Sequence, residues 1–340
     1  MAAPFEIPLI DLQSSTPADL LHAMSTCGFI HLSLNGTPLT MDDVRHTFAL
    51  SKKLFDELPL SARASCPQDA DYNGHVPLGK SKLAAEHGQK LADHKEGFGF
   101  GRFDPPRTRS GQPLPTGFEV HREDLESFKD KCYQTMLLLL DALSTAFDLP
   151  SNFFRSCHTN PGASGLSLLN YPLPPAGLAS LSEADIRAGA HKDWGSVTLL
   201  FQEEGGQSGL EVFKPSSTVK QDGVALMSQV DLEAGTWHPA PIIPNTVLIN
   251  LGLMMEAWTA GKCIATLHRV VFPKSLVAQP ITRPRKSIAY FGTPDPATIL
   301  RPVRAGGLVE EKEGAPSVKE FFDERMRLGY PEPKPVSAAA

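Results

Sequence analysis

Between residues 162 and 295 the chain is cut into short apolar runs by glycine, proline and other turn residues. That punctuation limits the folds open to it. The runs are 166–171, 197–201, 210–213, 236–239, 246–250, 265–272 and 287–291. They are strand-length and rich in β-branched and aromatic residues, and none is long enough to show a helical stripe. Many short strands separated by turns indicate a sandwich or a barrel. Gly205-Gly206-Gln207-Ser208-Gly209 reads as a hairpin loop within this series, and 254–260 as a short helical turn.

The flanks read differently. After a short strand at 7–12, Thr16-Pro17-Ala18-Asp19 has the order of a helix start: hydroxyl N-cap, proline in the first turn, carboxylate for the dipole. That helix should run to Cys27 and stop at Gly28, before a second strand at 29–32. Residues 40–58 read as one amphipathic helix ended by Pro59, and 69–96 as a polar loop region too long for an ordinary connection. Residues 104–118 are Pro- and Gly-rich and mark a linker. A long helix at 122–147 follows, its Cys132 and Met136 reading as core. A last helix at 317–330 opens on a Ser317/Glu320 capping box. The class is mainly β with flanking helices. The segments are an N-terminal α/β region (1–110), linker and spine helix (111–161), a strand-rich core (162–295), and a C-terminal helix and tail (296–340), with 331–340 expected to be disordered.

Composition excludes several functions. With 340 residues, 41% of them hydrophobic, the chain can bury a large core. The net charge of −6 and the scatter of Lys and Arg argue against a nucleic-acid or membrane surface. No apolar run approaches the roughly 20 residues that span a bilayer. The N-terminus lacks the pattern of a secretory signal. Five cysteines (Cys27, Cys66, Cys132, Cys157, Cys263) without a C-x-x-C suit reduced thiols, so a cytoplasmic protein is expected.

The chemistry lies in three short words. His191 and Asp193 are two apart, so an extended backbone would aim both side chains one way and Lys192 the other. His268 lies in the run 265–272. Two imidazoles and one carboxylate around an otherwise open metal make the ligand set of non-haem Fe(II) oxygenases. Taken alone, His-x-Asp is more often a solvated surface loop than a metal word, and His268 more often a satisfied core histidine than a ligand. Arg285 and Ser287 change the balance. They too are two apart in a strand, so a guanidinium that can take a carboxylate bidentately shares a face with a further donor.

With these words in place, the chain resembles the isopenicillin N synthase-like branch of the Fe(II)/2-oxoglutarate-dependent dioxygenases. The likeness runs from about residue 6 to about residue 330. It is carried by Ile7-Pro8-Leu9-Ile10-Asp11-Leu12, Leu54-Phe55-Asp56-Glu57-Leu58-Pro59, Asn73-Gly74-His75-Val76-Pro77 and Asp93-His94-Lys95-Glu96-Gly97-Phe98. Further on come Leu169-Asn170-Tyr171-Pro172, His191-Lys192-Asp193, Asn250-Leu251-Gly252, Leu267-His268-Arg269-Val270 and Arg285-Lys286-Ser287-Ile288. The resemblance implies a double-stranded β-helix, a relative of the jelly roll. It implies iron on His191, Asp193 and His268. 2-Oxoglutarate would chelate that iron and extend its far carboxylate to Arg285 and Ser287, with the Tyr171 phenol as a further donor. A buried Tyr in a sheet is otherwise packing with a satisfied hydroxyl. The family often carries Asn two residues before that Tyr; here the place is Leu169, with Asn170 one residue on, and Asn170 is given no binding role.

The expected reaction is oxidative decarboxylation of 2-oxoglutarate to succinate and CO2, coupled to hydroxylation, desaturation or cyclisation of a small, largely apolar molecule in specialised metabolism. O2 is consumed, and ascorbate is the expected reductant. Region 69–96 and the last helix would wall the site. Phe98, Phe100, Lys192, Trp194, Phe201 and Phe321, with Leu83, are the candidate substrate contacts. A monomer or weak homo-oligomer is expected. The alternatives are a same-fold iron oxidase, an ethylene-forming type of enzyme, and a catalytically silent ligand-binding member.

Overall fold

The computed structural model describes residues 5–84, 89–101, 112–174, 181, 185–216, 232, 234–272, 283–304, 306–309 and 314–329. The expected disordered tail and most of the expected linker lie outside these residues. In chain order the elements are β1 (Leu9–Ile10), α1 (Pro17–Thr26), β2 (Phe29–Ser33), α2 (Met41–Lys52), α3 (Leu60–Ala64), β3 (Gly74–Val76), β4 (Glu96–Phe100) and α4 (Arg122–Ala146). Then follow β5 (Gly165–Tyr171), β6 (Ala188–His191), β7 (Val197–Gln202), β8 (Leu210–Pro215), β9 (Gly235–Pro239), β10 (Thr246–Leu251) and α5 (Leu253–Trp258). The chain closes with β11 (His268–Val270), β12 (Arg285–Gly292), β13 (Val303–Arg304), β14 (Leu308–Val309) and α6 (Val318–Gly329).

The strands form an eight-stranded sheet in the order β1-β2-β10-β7-β12-β5-β4-β3, a four-stranded sheet in the order β6-β11-β8-β9, and a small β13-β14 pair. From β5 to β12 the chain passes back and forth between the two larger sheets, as a double-stranded β-helix requires. The N-terminal region adds β1 and β2 to one edge of the large sheet and β3 and β4 to the other. The 205–209 turn, expected to close a hairpin, instead carries the chain from β7 in the large sheet to β8 in the small one. Glycine turn chemistry is local and does not say which sheet the next strand joins.

Helix starts follow their capping residues. Thr16 with Asp19 and Thr40 with Asp43 form reciprocal capping boxes. At the start of α6 the Ser317 backbone N–H and hydroxyl both donate to Glu320. The helix expected over 40–58 is not uniform: after α2 the chain makes one π-helical turn, Lys53–Glu57, closed by Leu58 N–H on the Lys53 carbonyl. Buried Arg63 gathers the carbonyls around that turn, donating to Leu54 (3.0 Å) and Leu58 (2.9 Å). The turn also carries Asp56 to within 2.7 Å of Lys286 Nζ on β12.

Helix α4 covers the outer face of the large sheet. Its buried Leu125, Phe128, Cys132, Met136 and Leu140 join the main core, and Phe128 meets Phe201 of β7 at 5.3 Å between ring centroids. A second, smaller apolar cluster lies between the two sheets and includes Leu248, Val212, Val270, Ala188, Tyr171 and Phe29, with Leu169, Leu200 and Leu83 packed against it. Side-chain alternation along each strand therefore decides whether a residue meets the helices or the barrel interior.

Below α4, His158 is 1% exposed, with Nδ1 donating to the Phe154 carbonyl (2.7 Å) and Nε2 beside the Ser196 hydroxyl (2.9 Å). Burial pushes its imidazole down from 6.5 to about 4. The unfolded chain therefore takes up a proton that the folded chain refuses. The stability from a neutral His158 is fully present above pH 6.5 and is lost as pH falls towards 4. The whole effect is worth roughly 3 kcal/mol. Urea midpoints measured from pH 7.5 to 4.5 should fall, and His158→Gln should flatten that fall by close to one proton. An unchanged slope in the variant would refute the assignment.

Candidate metal and co-substrate site

β6 ends on His191, and its backbone partner across the ladder is His268 of β11. The pairing sets the two imidazoles side by side, 4.3 Å between ring centroids. Asp193 follows two residues after His191. Its Oδ1 lies 3.8 Å from Nε2 of both histidines. Among the described residues this is the one cluster of His, Cys, Asp or Glu able to hold a metal ion, with all ligand atoms within 4.8 Å of one another.

The surrounding bonds choose which atoms face inward. His191 Nδ1 donates to the Gly189 carbonyl (2.7 Å) and His268 Nδ1 to the Thr266 carbonyl (3.1 Å). A carbonyl only accepts, so each Nδ1 carries the proton and each Nε2 presents a lone pair. Asp193 Oδ2 accepts from Thr198 Oγ1 (2.6 Å) and Asn250 Nδ2 (2.7 Å), which leaves Oδ1 for the cluster. Burial and the nearby His268 lower the His191 imidazole, keeping it neutral. Burial alone would raise the Asp193 carboxyl, but the neighbouring His268 and His191, when protonated, and its hydrogen bonds from Asn250 and Thr198 lower it. Two imidazoles with Nδ1 tied to carbonyls and Nε2 turned inward, and one carboxylate, fit a ferrous ion with open positions.

Backbone crowding supports this geometry. A side chain at Gly252 would place its first carbon 2.2 Å from the Gly195 carbonyl and 2.9 Å from that of Asp193. Only glycine lets α5 start there, with Leu253 N–H on the Asp193 carbonyl. On the other side, buried Asp93 accepts from Ser81 Oγ, Leu83 N, Gln89 Nε2 and, at 2.9 Å, Gly189 N of β6. Residues 81–84 and 89–93 are thus tied to the strand that carries His191.

Arg285 and Ser287 do share a face of β12, while Lys286 points the other way to Asp56 and Asn170. Arg285 is 2% exposed and has no carboxylate partner among the described residues. Its Nη1 and Nη2 make long contacts, 3.5 Å each, to Ser287 Oγ and Gln202 Oε1, and its Nε has no partner. The Tyr171 ring lies against it, 4.8 Å from the guanidinium carbon. A buried cation so sparsely bonded fits a carboxylate arriving from a ligand.

Leu169 faces the barrel interior, and Asn170 faces away, donating to Glu96 Oε1 at 2.8 Å. Glu96 in turn meets His75 and Arg63. Asn170 belongs to a buried polar network behind the sheet.

The expected substrate contacts divide. Phe98, Phe100 and Phe201 point to the helix side of the large sheet and belong to the main core, which removes them from the pocket. On β4 it is Gly97 that faces inward, against Leu169. Phe321 is likewise packed in the main core. Lys192 pairs with Glu256 at 3.5 Å. Trp194 is half-buried beside Asp193 and meets Phe322 of α6 at 5.6 Å. Leu83 packs against the interior cluster. Asp93 and Asn250 stand in words that carry the family resemblance but were given no role there, and Thr198 and Gln202 carry no signal in the sequence that sets them apart from other polar strand residues.

Comparison with known proteins follows the same lines. Residues 7–117 match the family described as non-haem dioxygenase in morphine synthesis N-terminal, and residues 163–294 match the 2OG-Fe(II) oxygenase superfamily. The chain is 32% identical over 338 residues to UPF0676 protein C1494.01 of Schizosaccharomyces pombe, covering 96% of this chain and 93% of that one. It is 29% identical over 334 residues to the 2-oxoglutarate-Fe(II) type oxidoreductase ppzD of Metarhizium rileyi, covering 92% and 85%. A full-length Neurospora crassa protein crystallised in complex with alpha-KG superposes with a TM-score of 0.75 at 27% identity, covering 94% of this chain and 95% of that one. Among the described residues no helix is long and apolar enough to cross a membrane. With the fold, the cluster and these relatives in agreement, the chain belongs to the 2OG-Fe(II) oxygenase superfamily and is an Fe(II)- and 2-oxoglutarate-dependent dioxygenase.

Proposed function

We propose that His191, Asp193 and His268 hold the iron, and that Arg285, Ser287 and Tyr171 seat the far carboxylate of 2-oxoglutarate. The single observation that carries this is the convergence of three side chains whose spare atoms are already committed to other partners. When bound, the iron with 2-oxoglutarate and O2 supplies the oxidising power: the keto acid leaves as succinate and CO2, and a substrate bond is oxidised. The chain's own part is to hold and to shelter. Thr198 and Asn250 keep Asp193 Oδ1 turned inward. The Gly189 and Thr266 carbonyls keep both imidazole lone pairs inward. The apolar cluster of Leu200, Val212, Leu248 and Val270 excludes water from the space between Arg285 and the histidines.

The substrate is a small organic molecule, read here as largely apolar. Several relatives are named as fungal 2-oxoglutarate-dependent dioxygenases, one as a proline hydroxylase, and the Neurospora crassa protein has also been crystallised with thymine. Those names fit a small substrate without fixing which one. The test is direct: purified protein with Fe(II), ascorbate and O2 should convert 2-oxoglutarate to succinate, faster when the right small molecule is added. No succinate under any of these conditions would overturn the reading.

The wall of the site is expected to include Trp194 and the helix over it. Phe322 of α6 touches Trp194 at 5.6 Å and Tyr72 at 6.3 Å, edge to face in both cases. Phe322→Ala removes both ring contacts, worth about 1 kcal/mol each. The expected result is a several-fold rise in KM for the primary substrate with KM for 2-oxoglutarate unchanged. Equal movement of both constants would place α6 outside the substrate wall.

A further inference from the structure

A second buried guanidinium lies near enough to Arg285 for the two charges to act on each other. Arg187 lies just before β6 and is 0% exposed. Its Nη2 donates to Gln207 Oε1 at 2.5 Å, while Nε and Nη1 have no partner. Its flat face lies over the Phe272 ring, 4.7 Å from the centroid. Arg63, also buried, shows what a structural arginine does in this protein: its guanidinium is spent on Glu96 and on backbone carbonyls. Arg187 and Arg285 meet neither a carboxylate nor a backbone carbonyl among the described residues.

The backbone places the two at one end of the barrel. Arg285 pairs with Tyr171, the last residue of β5. His94 bridges this point to β6: its Nε2–H donates to the Pro172 carbonyl (3.0 Å) and its backbone N–H to the Ile186 carbonyl (2.9 Å). Gln207, which holds Arg187, also donates to the Arg283 carbonyl just ahead of Arg285. Arg187 is four residues from His191, about 13 Å along an extended strand. That is the end of β6 away from the metal ligands, on the side where the far end of a chelated dicarboxylate would lie. Burial pushes the Arg187 guanidinium down to about 9, and Arg285 adds to that, while Tyr171 opposes it.

Two like charges buried together without a counter-ion are costly. The fold keeps both, and a ligand carboxylate with two oxygens would satisfy both. We propose that Arg187 is a positioning residue for 2-oxoglutarate: together with Arg285 it forms a two-guanidinium seat for the far carboxylate, with Gln207 holding it in place. This rests on the reading of Arg285 given above, and the experiment separates the two.

The variants are Arg187→Met, which keeps length and loses charge, Arg187→Lys, and Arg285→Gln. Each is loaded with Mn(II), which prevents turnover, and titrated calorimetrically with 2-oxoglutarate and with pyruvate, which has the same keto-acid head and no far carboxylate. Thermal midpoints are read with and without ligand. Arg187→Met should weaken 2-oxoglutarate binding roughly ten- to hundredfold and leave pyruvate binding unchanged. Its ligand-free midpoint should hold or rise, because an uncompensated buried charge is gone. Arg187→Lys should recover part of the affinity, as a point charge without the fork. A structural role predicts the reverse: a lower ligand-free midpoint and equal effects on both keto acids, which would overturn the proposal. If Arg285→Gln loses 2-oxoglutarate and both Arg187 variants keep it, the Arg187 inference alone fails. If Arg285→Gln also keeps it, the far-carboxylate reading itself fails. Should Arg187→Met not fold, Arg187→Lys decides between the first two outcomes by the same 2-oxoglutarate to pyruvate ratio.

Discussion

Asp193→Ala protein is expected to bind no iron in stoichiometric amount and to form no succinate above background. Asp193 is the only anion in the cluster, and it is held ionised in a buried site by its neighbours. Removing it leaves two imidazoles and no anion, so a divalent ion gains no charge compensation. It also strands Thr198 Oγ1 and Asn250 Nδ2, which now donate to its outer oxygen. The loss should exceed the roughly 10- to 100-fold in metal affinity that follows from removing a residue behind a ligand. Thr198→Val supplies that smaller effect within the same site, because the carboxylate stays and one of its two anchors goes. Iron content by elemental analysis and succinate by chromatography measure both. Asp193→Ala protein that keeps its iron and its turnover would end the assignment of this cluster as the metal site.

The parts of this site that can be read from the sequence are those governed by strand alternation. Arg285 and Ser287 fall on one face of β12 with Lys286 on the other, because a period of two is built into an extended chain. The His191 and His268 pairing is a long-range register, yet each residue type marks its own strand end. The failures share a cause too. The large sheet has helices on one side and the barrel interior on the other, so both faces are apolar, and Phe98, Phe100 and Phe201 look the same whichever way they point. The inward face of β4 is marked by its glycines, which give no positive signal. Lys192 stands next to the metal word, but its partner Glu256 comes from α5, far along the chain. The π-helical turn at Lys53–Glu57 is equally hidden, since its stabilising partner Arg63 follows the proline expected to end the helix. The fold is legible as far as local pattern carries, and not where tertiary partners choose between faces.

Arg285→Gln is expected to raise the KM for 2-oxoglutarate by about 30-fold to a few thousandfold, the range for removing one partner of a buried, hydrogen-bonded charge pair. The structure explains why the effect should be confined to the co-substrate. Among the described residues the hydrogen bonds of Arg285 to Ser287 and Gln202 are both at 3.5 Å, Tyr171 lies against it, and its Nε is unpartnered. Burial lowers its guanidinium, with Tyr171 partly restoring it, so the charge is held at a cost that no carboxylate among the described residues offsets. Removing that charge should leave the ligand-free fold as stable as before or more so. The same change deprives the dicarboxylate of its bidentate partner, and a glutamine amide offers one donor group where the guanidinium offers a fork. Ser287→Ala should cost less, because a neutral hydroxyl contributes a weaker bond than an ionised pair. Steady-state kinetics at saturating primary substrate, with melting curves of the ligand-free protein, distinguish the cases. A Gln variant with an unchanged KM, or one that loses stability in proportion to its loss of affinity, would mean that Arg285 serves the fold instead of the keto acid.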